Sequence, residues 1–86
     1  MPVYVMAFES THAAMASEAA LQAAQVPATM IPMPRAISAG CGMSLRFDSE
    51  GDAPACDIAN LCSDARGLAT LYEELSKDEY RQVAKL

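Results

Sequence analysis

Residues 3–25 read VYVMAFESTHAAMASEAALQAAQ, and the change of pattern inside this stretch decides the fold class. In the first six residues neither alternating set, Val3/Val5/Ala7 or Tyr4/Met6/Phe8, is polar. A strand without a polar side is one covered on both faces, so an interior strand is expected. After Glu9 the pattern turns to alanine-rich helix, capped by Ser10 or Thr11 and carrying Ala14, Ser17, Leu21 and Ala24 on one face. Those small side chains let the helix lie close to a sheet, and Pro27 forces the chain out of it soon after residue 25. A strand followed by a crossover helix opens an α/β unit.

Toward the C-terminus, residues 29–33 are extended. Pro32 and Pro34 place them at a sheet edge or end the strand at Pro32. Met43, Leu45 and Phe47 alternate with Ser44 and Arg46, the period of a strand with one apolar face. The polar residues 48–54 read as a loop and as the most mobile segment. From 55 to 66, Ile58, Leu61, Cys62 and Ala65 recur at helical spacing, and Gly67 ends that helix. Residues 68–75 read as the last strand of the unit. The tail either turns at 76–78 into a hairpin arm over 79–83 or forms a helical turn, and periodicity leaves both open.

The resulting order, strand, helix, strand, strand, helix, strand, is that of a small α/β (α+β) ferredoxin-like sandwich. A chain of 86 residues makes one domain, 1–86, near the size at which a single core suffices without staples. An apolar fraction of 52% fills such a core, although alanine and methionine supply much of it.

The charge is divided unevenly. Up to Phe47 it consists of Glu9, Glu18, Arg35 and Arg46, which cancel, whereas from Asp48 onward nine acids face four bases. A phosphate backbone would be repelled by that half, and no basic stripe or aromatic run answers it, so nucleic acid is excluded as a partner. No apolar run approaches the roughly 20 residues that cross a bilayer, which predicts a soluble protein with no membrane partner. Three cysteines cannot all pair internally, and the start Met-Pro-Val-Tyr-Val lacks the features of a signal peptide, so the cytoplasm is the expected compartment.

Residues 32–47, PMPRAISAGCGMSLRF, carry the candidate chemistry. Cys41 stands between Gly40 and Gly42, with Arg35 and Arg46 as the only basic side chains of the first 47 residues. The thiolate is the nucleophile, and an unperturbed thiol of pKa about 8.5 is only a few per cent ionised at neutral pH. Two arginines and the backbone N–H groups of residues 39–42 would favour the anion, and glycines leave room for an approaching atom. The free N–H groups at the start of the first helix, around Ser10, Thr11 and His12, add an anion site if the strand ends converge. The same glycines also suit an ordinary tight turn.

Cys62 lies beside Ile58, Leu61 and Ala65 and reads as packing. Cys56 is ambiguous, since a helix start lowers a thiol pKa and the adjacent Asp57 opposes this. His12, Cys41, Cys56 and Cys62 have the ligand types of a zinc site but lack its spacing, so neither metal nor cofactor is expected.

The run Phe8-Glu9-Ser10-Thr11-His12 before an alanine-rich helix with Glu18, followed by residues 31–47, resembles the selenium/sulfur carrier protein-like family, long described as a domain of unknown function. The resemblance is close over about the first 47 residues and loose beyond them; the family pattern does not account for the acidic residues 48–52, Cys56 or Cys62. It implies a carrier or accessory protein more than a stand-alone enzyme. Cys41 would hold a persulfide or selenopersulfide for a protein donor or acceptor, with Arg35, Ser38 and Arg46 in the motif around it and Ser10 and Thr11 in the motif at the first helix. Two other readings compete: a regulatory or protein-interaction domain with a structural cysteine loop and an acidic docking half, and a thiol redox sensor in which Cys56 resolves Cys41. Open sheet edges also favour a homodimer.

Overall fold

A computed structural model describes residues 1–37, 40 and 42–86. Val3–Phe8 forms β1, and its fully apolar sequence matches its place at the centre of a five-stranded antiparallel sheet. Thr11–Ala23 forms α1, Thr29–Pro32 β2, Met43–Asp48 β3, Asp52–Asn60 α2, Ala69–Ser76 β4 and Glu79–Lys85 β5. The sheet order β2-β3-β1-β4-β5 contains the expected four-strand unit, and β5 is added at its edge by a hairpin. The hairpin alternative for the tail is therefore the one adopted. It turns at Asp78, which has a positive φ of 65°.

One face of the sheet carries the main core. Tyr4, Met6 and Phe8 from β1, Leu45 and Phe47 from β3 and Leu71 from β4 pack with Ala13, Ala14 and Leu21 of α1 and Ala55 and Ala59 of α2. Cys62 and Ala65 join them from the segment that ends in a 3₁₀ turn at Ser63–Ala65. The Tyr4 and Phe47 rings stack with centroids 6.1 Å apart. The other face buries Val5, Ala7 and Ile37, with Met33, Tyr72 and Tyr80 packed around them. β1 is thus covered on both sides, as its sequence predicts.

Three expectations are corrected. Residues 48–54 contain little loop: Asp48 ends β3, Asp52 begins α2, and Ser49 between them is buried. Asp52 and Pro54 suit the first turn of a helix, where an acid meets the positive end of the dipole and a missing N–H costs little. The second helix stops at Asn60 rather than running to 66, and its inward residues are Ala55 and Ala59, continued by Cys62 and Ala65. Ile58 is half-buried and Leu61 exposed, because small side chains allow this segment to approach the sheet closely. Finally α1 ends at Ala23, so Ala24 is exposed; Gln25 takes a positive φ of 60°, and Ala13 occupies the buried face instead.

Candidate functional site

The segment between β2 and β3 is closed at its neck and tied down at its centre. The Met33 N–H donates to the Gly42 carbonyl at 2.8 Å, and the Ile37 N–H donates to the Pro34 carbonyl at 3.0 Å. Pro34 presets the backbone for that tight turn. Arg35 and Ala36 stand exposed at its tip, while Met33 and Ile37 turn inward onto Val5 and Ala7. The motif therefore supplies part of a core as well as a loop.

Gly42 has φ +74°, in the left-handed region that glycine enters without a Cβ penalty. Gly40 is required for a different reason. A Cβ there would lie 2.7 Å from the backbone oxygen of Glu9, closer than atoms tolerate. The Gly40 N–H also donates to Glu9 Oε1 at 3.2 Å. One of the N–H groups expected to face an anion thus already serves a carboxylate. Ser38 and Cys41 lie outside the described residues, as does Ala39.

Glu9 links this loop to the start of α1. It follows β1 directly, its N–H donates to the Leu68 carbonyl at 2.7 Å, and the next residue, Ser10, is the helix cap. The Ser10 hydroxyl accepts the Ala13 N–H at 3.2 Å, which settles the cap between Ser10 and Thr11. Thr11 and His12 are exposed in the first turn. The structure thus brings Gly40 to the beginning of α1, and Glu9 is the residue that makes the junction. Sequence reasoning gave Glu9 no role, because its partner Gly40 lies 31 residues away in the chain.

Arg46 is directed elsewhere. It sits opposite Val5 in β3, and its Nε reaches across β1 to Glu74 Oε1 at 3.3 Å. Glu74 lies opposite Val3, farther from Gly42 along the sheet. The hydrogen bond to Glu74 raises the Arg46 pKa above its ordinary value, the carboxylate charge adding to it. A shallow cleft of about 150 Å³ beside Arg46, lined by Pro27, Ala28, Thr29, Phe47 and Asp48, also lies toward the end of β3 remote from Gly42.

The acidic half is partly neutralised from within. Arg81 Nη2 contacts Asp52 Oδ1 and Oδ2 at 2.8 and 2.9 Å and Glu73 Oε1 at 2.6 Å. The Tyr4 hydroxyl donates to Asp52 Oδ1 at 2.8 Å. This network pins the start of α2 to β1, β4 and β5. The Arg81 hydrogen bond, with that from Tyr4, holds the Asp52 carboxyl below its usual range.

Cys62 is buried beside the Ser17 carbonyl, and burial pushes its thiol pKa up, in keeping with a packing role. Cys56 is half-buried against the helix-side core. Among the described residues no helix is long and apolar enough to cross a membrane.

The profile of the family described as "Putative Se/S carrier protein-like" matches residues 3–66, from β1 through the 3₁₀ turn. No curated protein and no solved structure gives a match.

Proposed function

The chain belongs to the Se/S carrier protein-like family, and on that premise we propose that Cys41 accepts, holds and passes on a sulfur or selenium atom. In the sulfur case the Cys41 thiolate attacks the terminal sulfur of a donor persulfide. A new S–S bond forms, the donor's S–S bond breaks, and the donor leaves as its thiolate. Delivery reverses the roles: an acceptor thiolate attacks the terminal sulfur and Cys41 departs as thiolate. Neither step needs an external oxidant, a metal or a general base. A protein donor and acceptor in a reducing compartment, the cytoplasm, suit this chemistry.

The observation that carries the reading is that the family match spans the cysteine motif, while Gly40 and Gly42 on either side of Cys41 are each held by a specific contact. Arg35, Ser38, Thr11 and His12 are the groups we assign to the anionic sulfur or selenium, with the Ser10-capped start of α1 beside them. Arg46 is assigned to its ion pair with Glu74.

The interaction-domain alternative is weakened by the same pairing. Glu73 and Glu74, the carboxylates it would use to dock a basic partner, are engaged by Arg81 and Arg46.

Incubation with a persulfide donor followed by intact-mass and peptide mass spectrometry tests the proposal. Wild type should gain one sulfur on Cys41, and Cys41→Ala should not load. Equal loading of the two proteins, on Cys56 for example, would sink it.

A further inference from the structure

Glu9 meets Gly40 twice, through the side-chain hydrogen bond of 3.2 Å and through a backbone approach that leaves no space for a Cβ. The two contacts use different atoms of one residue, so Gly40 is constrained in both its N–H direction and its distance from the end of β1. Glu9 is itself anchored by its N–H bond to Leu68. The carboxylate supplies the first of these contacts and the Glu9 backbone the other two.

We propose that Glu9 is a positioning residue for Cys41: it holds Gly40 at the start of α1 and, through its negative charge, keeps the neighbouring thiol less acidic than the motif's arginine would make it. This rests on the reading of Cys41 as the transfer nucleophile. Gly40 directly precedes Cys41 in the chain, and consecutive Cα atoms across a trans peptide are about 3.8 Å apart. The Debye length at physiological salt is about 8 Å, so a carboxylate held on the Gly40 N–H is only partly screened over the distance of one residue. A like charge at that range disfavours the thiolate.

Other charged groups belong to the elements around this end of the sheet. They are His12 on α1, Arg35 on the turn, Arg66 before the Leu68 carbonyl that holds Glu9, and Lys85 on β5. Arg35, His12 when protonated, Arg66 and Lys85 act in the opposite sense to Glu9. The thiol's acidity is the balance among them, and Glu9 is the charge tied directly to the cysteine's neighbour.

The test is the iodoacetamide alkylation rate of Cys41 against pH in the full chain, read by peptide mass spectrometry. Glu9→Gln keeps an acceptor oxygen and the backbone contact while removing the charge. Its Cys41 rate near pH 7 should exceed wild type by about threefold at low salt, the size of one partly screened charge at this range. The ratio should fall toward unity in about 1 M salt, where the Debye length is about 3 Å. Glu50→Gln, an exposed site beyond the other end of β3, should leave the rate unchanged. An unchanged rate in Glu9→Gln at low salt overturns the proposal, as does an increase that persists at high salt, since that would mark a structural effect. No persulfide is involved, so failure here is separate from failure of the carrier reading.

Discussion

The two faces of the sheet are covered in different ways. On the helix side, residues from three strands, two helices and the 3₁₀ turn interdigitate, and none of the described residues of the 33–42 segment belongs to that layer. On the other side the buried cluster is Val5, Ala7 and Ile37, and its cover comes from that segment itself, with Met33, Tyr72 and Tyr80 at the margin. The contrast teaches that the loop is a structural part of the sheet. It is fastened by the buried side chain of Ile37 between its two ends, so its position depends on packing as well as on hydrogen bonds. A side chain such as Ile37 contributes about 1.5–3 kcal/mol when fully buried.

The comparison is broken most severely by removing the largest side chain of the helix face next to the site. Phe8 is wholly buried, and Phe8→Ala should cost about 3–5 kcal/mol. Small domains have only about 5–15 kcal/mol in total, so that variant should show a large fall in its urea midpoint. Ile37→Ala should cost about 2 kcal/mol, the low end for such truncations, because the loop can settle into part of the space. Its effect should be local as well: amide exchange at Met33 and Ile37 should quicken more than exchange in β1. If both variants lowered the midpoint equally and Ile37→Ala raised exchange evenly throughout, the two faces would be one cooperative core and the distinction would fail.

A smaller effect tests how the helix face is fastened at its rim. Burial, and next the hydrogen bond to Asp52, push the Tyr4 pKa up to about 12 from an ordinary 10.0. Because the folded value is the higher one, the stability from the neutral phenol is complete below pH 10 and is lost as pH rises through about 12. Alkaline titration over that window should cost about 1–2 kcal/mol after screening, and Tyr4→Phe should flatten this part of the profile. Asp52 behaves oppositely: its carboxyl is depressed, so its contribution is present above the ordinary carboxylate range and disappears as pH falls through its lower folded value. A Tyr4→Phe profile identical to wild type between pH 10 and 12 would show that the hydroxyl does not pin α2.

Much of this architecture was legible locally. β1, the start of α1, the edge position of β2 and the alternation of β3 follow from apolar period, the Ser10-Thr11 pair and the prolines. What was not legible arose where one signal masks another. Asp52-Ala53-Pro54 has loop composition but helix-start chemistry, and the larger Ile58 and Leu61 drew attention from Ala55 and Ala59, which actually meet the sheet. At the site, the glycines pointed to a loop with special geometry, and Gly40 and Gly42 have it. The Glu9 contact joins residues 31 apart in sequence, and the partner of Arg46 lies across an intervening strand. No local pattern encodes either.

Arg46 gives the smallest effect and the sharpest separation of sequence from structure. Read along the chain, it is one of two cations flanking Cys41, and Arg46→Gln should slow thiol chemistry. Read in the fold, its side chain is 45% exposed and bound to a Glu74 that is 25% exposed. Such a pair is worth below about 1 kcal/mol. Arg46→Gln should therefore lower the urea midpoint slightly and leave the Cys41 alkylation profile unchanged, whereas Arg35→Gln should slow alkylation at neutral pH. Pairing with Glu74 is what makes the difference, because a cation already matched to a nearby carboxylate presents little net field a few residues away. A Cys41 rate that fell equally in both variants would restore Arg46 to the site and require the Glu74 pair to open when the loop is at work.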